Sequence, residues 1–189
     1  AQSLITVPIV PALLCFWGGF GENLAILVWV GPVVAVLLSM SIYTDISYDN
    51  TAFALHLQTG VSGRADRVGR VVALATFAIP VSLLLVVGSV AISNTWPLLI
   101  GLLGITIGIL LTGFGVSSLV SGRFTFAVPA PGDSPFKARP GGGFSLMLST
   151  FATWAILGVL TLPEVVLALV GFATENLALS VASLAVGLA

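Results

Sequence analysis

The sequence contains one long run without any charged side chain, residues 71–122. A transmembrane helix needs about 20 consecutive apolar residues, so this run is long enough for two spans and the turn between them. The turn is predicted at residues 93–97, where Asn94 and Pro97 interrupt the apolar pattern and Trp96 suits a membrane interface. This feature predicts a hairpin of two helices inside a membrane.

The composition of the whole chain also indicates a membrane protein. Of its 189 residues, 58% are hydrophobic and 7% are charged, and the mean hydropathy is +1.17. An ordinary soluble domain carries about 25% charged residues, so a water-facing surface cannot be built from this composition. The single Cys15 excludes a disulfide scaffold. We expect an all-α, polytopic membrane protein of about six transmembrane helices, with residues 1–189 forming a single transmembrane domain.

The basic residues fall in two windows, residues 64–70 and residues 123–139. Both windows are expected to be cytoplasmic, because Lys and Arg accumulate on that side of multi-pass proteins of the plasma membrane. The expected spans are residues 3–20, 24–44, 71–92, 98–119, 145–162 and an incomplete 176–189, with cytoplasmic loops at 45–70 and 120–144. Since the last span is too short and the chain starts without Met inside an apolar run, we expect part of a longer polypeptide.

Pro163 and Glu164 interrupt the fifth apolar segment. If the helix starts near Ser145, Glu164 lies roughly 28 Å along it, close to the ~30 Å thickness of the hydrocarbon core. We therefore expect Glu164 at the outer boundary, where it need not be buried. The helix would end near Leu162, and residues 163–172 would form a broken, re-entrant segment in the outer leaflet. The alternative is an intramembrane carboxylate that serves as a proton or cation site.

Small residues recur at helical spacing in the fourth span, at Gly101, Gly104 and Gly108. Glycines three and four residues apart favour close approach of another helix. The partner helix can belong to the same subunit or to a second copy. Pro32 and Pro80 lie inside predicted spans, either as kinks in packing helices or as hinges.

The first cytoplasmic loop contains a short helix with its own start and stop signals. Asp49 or Asn50 is placed to cap its N-terminus, and Gly60 can end it. Phe53 and Leu57 share one face of residues 51–59. Such a helix can lie in the membrane interface or dock into a groove on a soluble partner.

A second helical stretch follows and leads into the third span. Arg64 and Arg67 are expected on one side of it, and Asp66 can pair with Arg70 at i, i+4. A basic collar facing lipid headgroups would explain these arginines but not the capped helix that precedes them.

Together these loop features resemble the ABC-2 family of ABC-transporter permeases. The matching stretch runs from Asp49-Asn50-Thr51 to Leu57, then through Thr59-Gly60-Val61-Ser62 and Arg64 to Gly69-Arg70. Gly60 stands where the family usually has Pro, and the acidic start is weaker than usual. The layout is also similar, with six spans, a tight outer turn between spans three and four, and a broken outer segment between spans five and six.

The resemblance implies a transport subunit without its own ATPase. In this family the short loop helix is a coupling helix that sits in a cleft of a separate nucleotide-binding subunit. That role would fall on Thr51, Phe53, Leu55, His56, Leu57, Gln58 and Gly60, with Arg64, Arg67 and Arg70 at the membrane boundary and Pro163 and Glu164 at the outer-leaflet break. The implied partners are the ABC ATPase subunit, which would hold ATP and Mg, a second permease half or copy, and the lipid bilayer, but no nucleic acid.

Residue patterns for catalysis are absent from the sequence. No Gly-x-x-x-x-Gly-Lys-Ser/Thr phosphate loop occurs, and the glycines at 141–143 are not followed by Lys. One His and one Cys on separate segments cannot assemble a metal site. We therefore expect no catalytic, metal or cofactor-binding residues and no enzymatic activity in this chain. Two other functions remain open, an ion-coupled secondary transporter that uses Glu164 and a non-transporting membrane assembly subunit.

Overall fold

The computed structural model describes Ile9, residues 24–43, Asp45, Gln58, Gly60, residues 62–124 and residues 143–189. Within these residues every regular element is helical, which confirms the all-α class. The α-helices are α1 (Val30–Ser39), α2 (Gly63–Ser93), α3 (Leu99–Arg123), α4 (Gly143–Leu160), α5 (Leu162–Ala173) and α6 (Leu177–Gly187). Turns of 3₁₀-helix cover Leu24–Trp29, Met40–Ile42 and Trp96–Leu98.

The predicted hairpin is formed by α2 and α3, which pack against each other. The α2 helix begins after Ser62, whose Oγ accepts a hydrogen bond from the Ala65 N–H at 3.3 Å. It ends at Asn94, which has the left-handed φ of 54° that stops a helix. The 31 residues of α2 extend over about 46 Å, so the helix is longer than the hydrocarbon core and includes the three arginines that precede the predicted span.

Two helices of the described residues are long and apolar enough to cross a membrane, α2 and the stretch Trp96–Arg123. A third candidate is the pair α4–α5, whose axes bend by 51° at Thr161. Pro163 lies at the start of α5, where its missing N–H is tolerated, so a new helix begins there instead of continuing α4. The segment predicted to be broken is thus a second helix at an angle to the first.

The remaining apolar helices are shorter, at Ile26–Ile42 and Leu177–Gly187. The predicted second span is a 3₁₀ turn, α1 and another 3₁₀ turn in place of one continuous α-helix. Pro32 lies in the first turn of α1 and therefore marks the start of that helix, not a kink inside it. The predicted first span, residues 3–20, lies outside the described residues except for Ile9.

The core lies where α3 meets its neighbours. Val34 and Leu38 of α1, Ala78 of α2 and Leu110 of α3 have no exposed surface. On its other side α3 packs against α5 and α6, with Ala168 of α5 in the same cluster. The central position of α3 explains why it contains glycines, since more than one helix must approach its backbone closely.

Candidate functional site

The start of α2 and the end of α3 lie side by side and bring four arginines to one end of the helices. Arg64 is exposed, Arg67 and Arg70 are half-buried, and Arg123 in the last turn of α3 is exposed. We call this the basic end, and we call the end with Asn94 and Glu175 the opposite end. Both ends of the predicted loop at residues 45–70 are at the basic end.

Arg70 connects the two ends of that loop. Its Nε donates to Asp66 Oδ1 at 3.1 Å and to Oδ2 at 3.0 Å, which confirms the predicted i, i+4 pair. Its Nη1 also lies 3.8 Å from Oδ2 of Asp45, at the end of the segment that follows α1. The contact with Asp45 was not predicted. The sequence contains a feature that could have indicated this contact. Asp45 is the first charged residue after the second apolar segment, and Arg70 is the last charged residue before the third.

Arg67 joins α2 to α3. Its Nη2 donates to the backbone oxygen of Ser121 at 3.4 Å. Ser121 is in the last turn of α3, where backbone carbonyls lack partners within the helix and attract positive charge. The arginine thus provides a hydrogen-bond donor and a positive charge to a helix C-terminus.

Two hydroxyl contacts connect the other helices at the same end. The Ser117 hydroxyl of α3 donates to the backbone oxygen of Ser39 in α1 at 2.8 Å. Tyr43, just after α1, shares a hydrogen bond of 2.7 Å with Thr150 Oγ1 of α4. Together with the arginine contacts, these bonds join α1, α2, α3 and α4 around the base of the loop.

Most of the predicted coupling helix lies outside the described residues, namely Thr51, Phe53, Leu55, His56 and Leu57. Gln58 is helical and exposed. Gly60 is exposed and has a φ of +68°, a left-handed conformation that glycine adopts without strain and that often ends a helix.

A second cluster surrounds Glu164 at the start of α5. The residue is 3% exposed, so the prediction that it need not be buried is wrong. The prediction rested on the distance of Glu164 along the helix from Ser145, and that distance does not specify where the segment after the break packs. Because the chain bends at Thr161, α5 instead packs against α3 and α6, and these helices cover the carboxyl group.

Glycines permit this close packing. A β-carbon built on Gly108 of α3 would lie 2.8 Å from Cδ of Glu164, and one built on Gly104 would lie 2.7 Å from the Leu184 nitrogen of α6. A β-carbon on Gly187 would lie 3.1 Å from the Gly108 nitrogen. The small-residue pattern of the fourth span therefore serves packing within one chain, one of the two predicted possibilities. The pattern gave no sign that a carboxyl group would lie against it.

Polar contacts around Glu164 are few. Its backbone oxygen accepts a hydrogen bond from the Ser183 hydroxyl of α6 at 2.8 Å. Its buried Oε1 has no hydrogen-bond partner among the described residues. A buried acceptor without a partner is unfavourable, and such carboxyl groups in membrane proteins often hold a proton or a cation. No group of three or more His, Cys, Asp or Glu side chains in the described part of the chain is placed to hold a metal ion.

Protein-family models, curated proteins and solved structures provide no match to this chain. In the described part of the chain, the basic end and the Glu164 cluster are the two candidate functional sites.

Proposed function

We propose that the chain is the membrane-spanning permease subunit of an ATP-driven ABC exporter. ATP and Mg would be bound by a separate nucleotide-binding subunit, and residues 51–60 would be the coupling helix that docks into it from the cytoplasm. The observation that best supports this function is the set of contacts that attaches both ends of the 45–70 loop to four helices.

Coupling requires that movement of the loop reaches the spans. The Asp45–Arg70 ion pair holds the two ends of the loop together, so a displaced loop would carry both of its flanking segments. The Arg67–Ser121 bond extends that movement to α3, and the Tyr43–Thr150 bond extends it to α4. If only one end of the loop were attached, a displacement of the loop would not be transmitted to the helices.

Docking would use the apolar face of the loop helix. Phe53 and Leu57 are four residues apart and would enter a groove on the ATPase subunit, as amphipathic helices commonly do. Introducing a carboxylate into such an interface without a counter-charge costs several kcal/mol, which corresponds to a loss of binding of two or more orders of magnitude.

The experiment is co-purification of the tagged chain with its ATPase subunit. Phe53→Asp and Leu57→Asp are expected to lose the ATPase, whereas Asn94→Asp, which adds the same charge in the turn at the opposite end, retains it. Retention of the ATPase by both loop variants at the wild-type ratio would overturn the coupling assignment.

A second candidate function is an ion-coupled secondary transporter, and the buried Oε1 of Glu164 favours it. In that case Glu164→Gln abolishes transport and no ATPase is required. Depleting ATP while the ion gradient is clamped distinguishes the two functions. Transport that stops under this condition supports the ABC exporter, and transport that continues supports the ion-coupled carrier.

A further inference from the structure

An open groove runs along the outside of the α2–α3 hairpin and ends at the basic end. Its volume is about 450 Å³. It is lined by Val68 and Val72 of α2, Leu111, Gly115 and Leu119 of α3, and Arg67. Three of the apolar side chains are more than half exposed, Val68, Val72 and Leu119. The groove is therefore accessible from outside the described helices.

The dimensions of the groove match one leaflet of a bilayer. Leu111 and Leu119 are separated by about 12 Å along α3, and one leaflet of hydrocarbon is roughly 15 Å thick. Gly115 lies between them, and a β-carbon built there would have no described atom within 4 Å apart from those of its own turn of helix. Among the described residues the groove thus has an open, apolar middle, and its length along α3 is that of an acyl chain in one leaflet.

The charge at one end of the groove defines the rest of the ligand. Arg67 lines that end, and the exposed Arg64 lies three residues earlier on the same side of α2. The described charged residues of the basic end are four arginines and two aspartates, Asp45 and Asp66. The phosphate group of a lipid headgroup beside Arg67 and Arg64 would be attracted by their positive charge while its acyl chain follows α3 into the membrane.

We propose that this groove binds one anionic phospholipid from the leaflet at the basic end. A second copy of the chain is a poorer occupant. A two-fold axis along the membrane normal that brings the groove against itself would place Arg64 and Arg67 of both copies together. The lipid complements both the apolar walls and the positive end.

The test is native mass spectrometry of the full chain released from mixed bilayers of phosphatidylglycerol and phosphatidylcholine. The wild type is expected to retain one phosphatidylglycerol in preference to phosphatidylcholine. Arg67→Gln lowers that preference by about five-fold, the effect of one basic residue at an anionic surface, whereas Arg67→Lys largely keeps it. Arg123→Gln is the control, because it removes an exposed charge of the same end outside the groove.

A second variant tests the groove itself. Gly115→Leu places an apolar side chain where a β-carbon meets open space, and it lowers retention of both lipids. Gly158→Leu, at a glycine of α4 whose β-carbon also meets open space, leaves retention unchanged. The proposal is overturned by equal retention of the two lipids, by equal effects of Arg67→Gln and Arg123→Gln, or by wild-type retention in Gly115→Leu. Loss of a dimer instead of lipid in Gly115→Leu would also overturn it and identify a second copy as the occupant.

Discussion

The Arg70 guanidinium lies between two carboxylates, Asp66 one turn earlier in α2 and Asp45 near the end of the preceding segment. Their side chains keep between 18% and 32% of their surface exposed, so solvent weakens both pairs and each contributes at most about 1 kcal/mol to stability. The larger effect of Arg70 is positional. It determines where the two ends of the loop lie relative to each other.

Arg70→Gln is expected to leave the protein folded, with a Tm within a few degrees of the wild type, and to uncouple the loop from the helices. The measurement is ATP-dependent transport by the assembled complex together with thermal unfolding of the purified chain. We expect a several-fold loss of transport in Arg70→Gln and little loss in Arg123→Gln, which removes an exposed arginine of the same end. Equal transport by the two variants would contradict a role for the Asp45–Arg70 pair.

Glu164→Gln keeps the shape of a buried side chain and removes its ability to bind or release a proton. Under the ABC assignment, ATP-driven transport persists in this variant, since the energy enters through the loop and not through the carboxyl group. Complete loss of transport in a correctly folded Glu164→Gln protein would instead support the ion-coupled function.

Among the elements, α3 has the central role because α1 and α2 pack on one side of it and α5 and α6 on the other. Gly104 and Gly108 allow α6 and the start of α5 to contact its backbone. The glycine spacing alone predicted a close helix contact. The bend between α4 and α5 determines which residues make that contact, and it places Glu164 against Gly108.

Two glycines of α3 provide a matched test of this packing. Gly108→Ala places a methyl group against the Glu164 carboxyl and α6, so we expect it to lower the free energy of unfolding by about 1–3 kcal/mol. Gly115→Ala has open space and gains helix propensity, so we expect it to raise that free energy by up to about 1 kcal/mol. Unfolding of the two purified variants in detergent measures the difference between their free energies of unfolding. Equal stability of Gly108→Ala and Gly115→Ala would contradict the close contact at Gly108.

In the molecule as a whole, the helical class and the α2–α3 hairpin were predictable because both follow from long apolar segments and the absence of charge within them. The Asp66–Arg70 pair was predictable as well, since i, i+4 spacing places those side chains together. The Asp45–Arg70 contact and the burial of Glu164 depend on where separate segments fold back, and local patterns do not specify that. Local patterns also do not show where an apolar helix changes to 3₁₀ geometry, so α1 and the 3₁₀ turns on either side of it were predicted as one continuous span.

The expected orientation places the basic end in the cytoplasm. In a Cys15→Ser background, Gly63→Cys at the basic end and Thr174→Cys at the opposite end, both exposed positions, report the two sides of the membrane. An impermeant maleimide added to intact cells is expected to label Thr174→Cys, and to label Gly63→Cys only after permeabilisation. The reverse pattern would contradict the cytoplasmic assignment of the loop.

If residues 51–60 contact an ATPase, site-specific photocrosslinking in native membranes will capture that contact. Phe53 is replaced by p-benzoylphenylalanine, and Trp96, an exposed aromatic residue of the opposite end, receives the same replacement as the control. We predict that the probe at position 53 crosslinks to a protein that carries a Gly-x-x-x-x-Gly-Lys-Ser/Thr phosphate loop and that the probe at position 96 does not. Crosslinks from position 53 to lipid or to the chain itself, with no ATPase among the products, would show that residues 51–60 are not a coupling helix.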